Sequence, residues 1–143
     1  MSVNLKHIIF ILVTSIPVSI INFSAYLMGY KPSPSQAFFS ILFIILWLIY
    51  GIFMGFKKIK CFTLFSTLYW SIGTLLFILS YFLQLDVIFI PVAIILAGPI
   101  YGLEYFLNIS SDITLVILSI AITYGLSICG YLIGKNVNKT YKE

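Results

Sequence analysis

The chain has no arginine. Its eight basic residues are all lysine, only four residues are acidic, and 8% of the 143 residues are charged. A soluble domain is about 25% charged, because its surface must be hydrated. A chain that is instead 62% hydrophobic cannot coat itself with water-facing groups, so its surface is expected to face lipid. The missing arginine also removes the bidentate fork that grips phosphate and carboxylate. The net charge of +4 comes from lysines at segment ends. They read as topology signals and as contacts to anionic lipid, not as a nucleic-acid surface.

Histidine is almost absent. His7 is the only one, and its place at the start of an apolar segment predicts residence at the lipid boundary. One histidine makes neither a metal site nor a catalytic pair. No catalytic residue, metal ligand or cofactor is therefore assigned, and the chain reads as non-enzymatic. The two cysteines, Cys61 and Cys129, have no metal or disulfide spacing. They read as plain buried thiols. The first segment is too long for a cleavable signal peptide, and no small-x-small site follows it.

Apolar sequence is what the chain has in abundance. Five charge-free stretches run over residues 8–30, 37–56, 61–83, 87–103 and 113–134. Crossing the hydrocarbon core takes about 20 apolar residues, with about 17 as a lower limit. The fourth stretch only reaches that limit. It carries Pro91 near its start and Gly98-Pro99 near its end, which predicts a break. The joining pieces are short, so the chain reads as one transmembrane domain with no extramembrane domain. Any site must lie in the bundle or on its two faces. Asn108-Ile-Ser110 and Asn138-Lys-Thr140 match the glycosylation sequon, a pattern common by chance.

Lysines are retained on the cytoplasmic side. Five crossings would divide them four against four. If the fourth stretch does not cross, Lys6, the three lysines of KKIK (57–60) and the three of the tail share one side, and Lys31 stands alone. Asp86, Glu104 and Asp112 then fall on the side of Lys31. The expected architecture is therefore an all-α bundle of four transmembrane helices, with a fifth short, broken or re-entrant helix. Both termini would be cytoplasmic in a plasma-membrane protein; five full spans are the alternative.

Small residues four apart mark close helix packing. They occur at Gly51/Gly55, at Gly130/Gly134 and around Pro99 at Gly98/Gly102. Packing within one bundle is the first reading of the outer two pairs, and a dimer interface the second. Polar stripes run along Ser15, Ser19, Asn22 and Tyr26 in the first segment. They continue in Thr63, Thr67, Trp70 and Thr74 of the third, and Ser119, Thr123 and Ser127 of the fifth. Such stripes face away from lipid. Hydrogen bonding between or within helices is their default role, and a polar path the alternative. Pro17 predicts a kink or hinge.

Glu104 is the only acid with an apolar run directly on both sides. An ionisable group at membrane depth is a functional candidate for a substrate or ion. The competing reading is a carboxylate at headgroup level beside Tyr101, Tyr105 and Phe106. Asp112 reads as a helix N-cap, with Ser110 or Ser111 as rivals.

The partners implied are the bilayer and another membrane protein or a second copy. The first functional reading is an accessory, regulatory or immunity-type protein acting through helix–helix interaction. The second is a small transporter or channel component using the segment around Gly98–Glu104.

Overall fold

A computed structural model describes residues 3–107 and 112–140. The fold is 90% helix, with no strand among the described residues. Helix α1 is Val3–Met28, α2 is Pro34–Phe56 and α3 is Cys61–Phe82. We label the composite helix Asp86–Leu107 α4 and the last helix, Asp112–Thr140, α5. All five are long and apolar enough to cross a membrane. The sequon at Asn108, the cap candidates Ser110 and Ser111, and Lys142 lie outside the described residues, as do the side chains of Asp112, Asn138, Lys139 and Thr140.

Local chemistry sets the helix ends. Ser33 caps α2 in a capping box. Its hydroxyl accepts from the Gln36 amide, and the Gln36 side chain accepts from the Ser33 amide at 2.8 Å. Pro34 opens the helix where an amide hydrogen has no partner anyway. Helices α1, α2 and α3 stop the same way. Gly29, Lys58 and Gln84 take positive φ, and the next amide reaches back to Ala25, Met54 or Ser80. Glycine suits that conformation; lysine and glutamine occupy it against a steric cost of about 1–2 kcal/mol.

Pairings between helices give their directions. His7 meets Tyr50 and Asn22 meets Ser40, so α1 and α2 are antiparallel. Gly51 lies against Ser127 and Gly55 against Tyr131, so α2 and α5 are parallel. Ser66–Ser127 and Thr67–Tyr124 make α3 antiparallel to α5. The starts of α1 and α3 thus share one end of the bundle with the finishes of α2 and α5.

Helix α4 begins and finishes at the other end. It leaves α3 through a tight turn, and Phe89 packs on Phe77 with ring centroids 5.5 Å apart. Leu96 reaches Gly73, halfway along α3. The chain then returns. Gly98 lies on Ser19, Tyr101 packs on Tyr26, and Gly102 touches Gln36 near the start of α2.

The expected break takes a particular form. The backbone stays helical through Gly98 (φ −54°, ψ −48°). What changes is the hydrogen-bond pattern, from one π turn at Ala93–Ala97 to a 3-10 stretch at Gly98–Leu103. Nor is the stretch short: Glu104–Leu107, read as loop, is a further helical turn, and the whole spans 22 residues. Helix α1 runs through Pro17 as one element. Helices α1 and α5 also extend past their apolar stretches into polar sequence, since hydropathy marks the apolar part of a helix and not its last hydrogen bond.

The outer surface is apolar. Ile20 is 69% exposed and Leu64 66%, among many large aliphatic residues on every long helix. Soluble monomers do not present such a surface. The polar residues turn inward: Ser15, Ser19, Asn22, Ser40, Ser66, Ser80, Ser119, Thr123 and Ser127 are all buried.

Candidate functional site

The candidate site is the six-residue 3-10 stretch, Gly98–Leu103, every residue of which is buried. A regular α-helix would join the Gly102 amide to the Gly98 carbonyl. Here side chains of other helices hold both groups. Asn22 Nδ2 donates to the Gly98 carbonyl at 2.8 Å, and the Gly102 amide donates to Ser40 Oγ at 3.0 Å. Asn22 Nδ2 also donates to Ser40 Oγ at 2.9 Å, closing the link between α1, α2 and α4. Backbone with altered pairing is tolerated at membrane depth only where protein or water satisfies it. Asn22 and Ser40 are that protein.

Two glycines make the approach possible. A Cβ on Gly98 would strike Ser19 Oγ, and one on Gly102 would strike the Gln36 carbonyl and Ser40 Oγ. At the rim of the clamp, the Tyr101 hydroxyl donates to the Tyr30 carbonyl at 3.3 Å, and Gln36 Nε2 donates to the Ile21 carbonyl at 3.0 Å. Each tie is modest alone, about 1 kcal/mol, but leaving a buried backbone group unpaired costs about 1–3 kcal/mol.

Several polar atoms of this region are buried without a hydrogen-bond partner: Asn22 Oδ1, Ser19 Oγ and Glu104 Oε2. Glu104 as a whole is partly exposed and begins the last turn of α4. It stands two residues beyond Gly102, towards the α2 start. The carboxylate therefore lies at the end of the bundle where α4 begins and finishes, beside the clamp but outside its hydrogen bonds.

The other sequence candidates divide by role. Ser66 and Ser127 pair at 3.2 Å, and Thr67 pairs with Tyr124 at 2.9 Å across α3 and α5. Thr67 also bonds back to the Thr63 carbonyl, Thr74 to Trp70 and Thr123 to Ser119. These hydroxyls are spent on local and neighbouring contacts, and they form no continuous chain along the bundle.

The four remaining glycines join α2 to α5. A Cβ on Gly51 or Gly55 would strike the carbonyl of Ser127 or Tyr131. One on Gly130 or Gly134 would strike that of Leu48 or Ile52. Both glycine faces are therefore occupied inside a single chain.

Sequence reasoning missed three things. His7, near the start of α1, is packed among side chains of other helices. It is fully buried, its Nδ1 lies 2.6 Å from the Tyr50 hydroxyl, and its ring stacks on Phe65 at 4.5 Å. Ser40 was overlooked because a lone serine in an apolar helix makes no stripe; its position seven residues before the buried Trp47 was the available signal. Cys61 and Cys129 are exposed on the outer surface, not buried. A thiol is apolar enough for a lipid-facing position.

Trp47 forms the second interior feature. It is fully buried, stacks on Tyr69 at 5.5 Å and tilts against Trp70 at 5.1 Å. Among the described residues no group of three His, Cys, Asp or Glu could hold a metal ion. His7 and Glu104 stand at opposite ends of the bundle and form no acid–base pair. Comparison with protein families, curated proteins and solved structures finds no match for this chain.

Proposed function

We propose that the chain is a non-enzymatic, multi-pass plasma-membrane protein with four crossings, one half-depth helix and both termini in the cytoplasm. Within it, α4 serves a small transporter or channel component, with the Asn22–Ser40–Gly98 clamp and Glu104 as the solute or ion element. One observation carries the reading: α4 starts and finishes at the same end of the bundle and turns back where Leu96 meets Gly73, halfway along α3. Helices with altered backbone pairing at mid-depth recur in transport sites; here Asn22 and Ser40 hold the freed backbone groups, and the unpartnered Asn22 Oδ1, Ser19 Oγ and Glu104 Oε2 beside them are the atoms a solute would meet. Orientation follows from lysine: Lys6, Lys57, Lys58, Lys60 and Lys135 share one end, and Lys31 is at the other.

The test is flux. Purified protein in liposomes loaded with reporters of Na⁺, K⁺ and H⁺ is expected to raise the flux of one of them. That flux should fall at least several-fold in Asn22→Leu and in Glu104→Gln. Silence with all three cations overturns the ion form of the reading. Full flux in Glu104→Gln removes the carboxylate from it.

A second reading is favoured by a groove of about 370 Å³ between α3 and α5, lined by Ser71, Leu75, Ile117 and Ala121. It suits an accessory, regulatory or immunity-type protein that receives a partner helix. The groove would then supply the contact, since the glycine faces of α2 and α5 are already taken.

A further inference from the structure

Pro99 alters the pairing of α4 one turn before itself. In an α-helix the Ile95 carbonyl would accept from the amide of residue 99, and proline has no amide hydrogen. The Ile94 carbonyl would accept from the Gly98 amide, which here donates to Ala93 instead. Two carbonyls near the turn-back thus lose their α-helical donors. The Tyr69 hydroxyl reaches across from α3, but it stands 3.5 Å from the Ile95 oxygen.

Helix α1 runs beside this stretch in the same direction. Ser19 lies on Gly98, Asn22 donates to the Gly98 carbonyl and Tyr26 packs on Tyr101. Ser15, one turn before Ser19, therefore falls level with Ile95, and it lies beside the Tyr69 hydroxyl. Ser15 and Ser19 are 0% and 1% exposed and share one face of α1. Neither oxygen makes a hydrogen bond of proper geometry. Thr14 next to them does bond back, to the Phe10 carbonyl at 2.8 Å. Two buried hydroxyls without partners are costly unless a ligand takes them. Ser15 Oγ, Ser19 Oγ, Tyr69 Oη and the Ile95 carbonyl are all neutral oxygens. Oxygen holds hard cations, and neutral oxygen dipoles suit those of a single charge. Asn22 Oδ1 and Glu104 Oε2, also buried without partners, continue the row towards the end where α4 finishes.

We propose that Ser15, Ser19, Tyr69 and the Ile95 carbonyl seat one dehydrated alkali-metal cation at the tip of α4. The inference rests on the transport reading, whose ion class and seat it names. The hydroxyls and the carbonyl replace part of the hydration shell, and Glu104 supplies a negative charge on the approach. The bound ion ties α1, α3 and α4 together where the α4 backbone has given up its own pairing, so stability reports occupancy.

The experiment is thermal unfolding of the full chain in a neutral detergent, in Na⁺, K⁺ or N-methylglucammonium chloride at equal ionic strength. Na⁺ or K⁺ should raise the midpoint above the bulky organic cation, by about 3–6 °C at tenfold the dissociation constant. The double substitution Ser15→Ala/Ser19→Ala should erase that difference. Tyr69→Phe keeps the ring that stacks on Trp47 and should reduce it. Equal midpoints in the three salts overturn the inference, because water alone then satisfies these oxygens. An undiminished difference in the double variant also overturns it, by placing the ion elsewhere. Alkali-cation flux in liposomes without a cation-dependent midpoint overturns this seat and leaves the transport reading. A cation-dependent midpoint in a chain silent in liposomes keeps the seat and overturns the transport reading.

Discussion

Asn22 joins three helices through one side-chain nitrogen. Its bonds to the Gly98 carbonyl and to Ser40 Oγ replace pairing that the α4 backbone gives up. Asn22→Leu should therefore lower stability by about 1–3 kcal/mol, because it strands a buried carbonyl. Ser40→Ala should likewise cost about 1–3 kcal/mol, through loss of the acceptor for the buried Gly102 amide. Thermal unfolding in detergent reads both. An unchanged midpoint in Asn22→Leu would mean that the Gly98 carbonyl does not depend on this amide. Sequence alone exposed half of this pair. Asn22 stood out as the one amide in a serine stripe, while Ser40 did not, since only the turn-back of α4 brings Gly102 to it. His7 shows the same limit. Its neighbours Tyr50, Phe62 and Phe65 come from two other helices, and no local pattern announces them.

Among the elements, α2 and α5 form the most intimate pair. Their glycines are reciprocal: each chain of carbonyls, Leu48 and Ile52 on one side and Ser127 and Tyr131 on the other, sits where a Cβ would have to go. Gly55→Ile should destabilise the bundle by roughly 1–3 kcal/mol or more, since backbone cannot move aside as a side chain can. Gly125 is the contrast. Nothing lies within 4 Å of an added Cβ there, so Gly125→Ala should stabilise α5 by about 1 kcal/mol through its better helix propensity. Equal effects of the two substitutions would mean that the α2–α5 contact is looser than its geometry. The glycine spacing was readable in the sequence, because four residues return to one helix face. Which face meets which was not, since the same motif serves one chain or two. The composition of α4 was readable too, but Gly98-Pro99 signals only an irregularity. Whether the chain stops, bends or changes its hydrogen-bond pattern there depends on the side chains that wait for the freed groups.

For the whole molecule, the parity of crossings is the deciding quantity. Parallel α2 and α5, with α3 antiparallel to α5, put the finish of α3 and the start of α5 at one end. Tags at the two termini should then be accessible from the same side of a sealed vesicle, the cytoplasmic one. A C-terminus protected where the N-terminus is cleaved would require α4 to cross. Lysine placement in the sequence carries the same expectation, because lysines are retained on the cytoplasmic side. Length and hydropathy alone favour five crossings, as 22 residues at about 1.5 Å each reach ~33 Å. They measure whether a helix can span, not whether its two ends lie apart.

The turn-back of α4 also gives the molecule a taper. In the four-crossing reading, one leaflet meets four helices plus both arms of a fifth, while the other meets four helices alone. The protein is thus a wedge, and a wedge strains a flat bilayer less if the membrane bends around its narrow end. Lateral pressure in the wider leaflet would squeeze the arms of α4 together, and with them the Asn22 clamp, and tension in the membrane would relieve that squeeze, so the state of the bilayer would reach the interior of this chain through its shape.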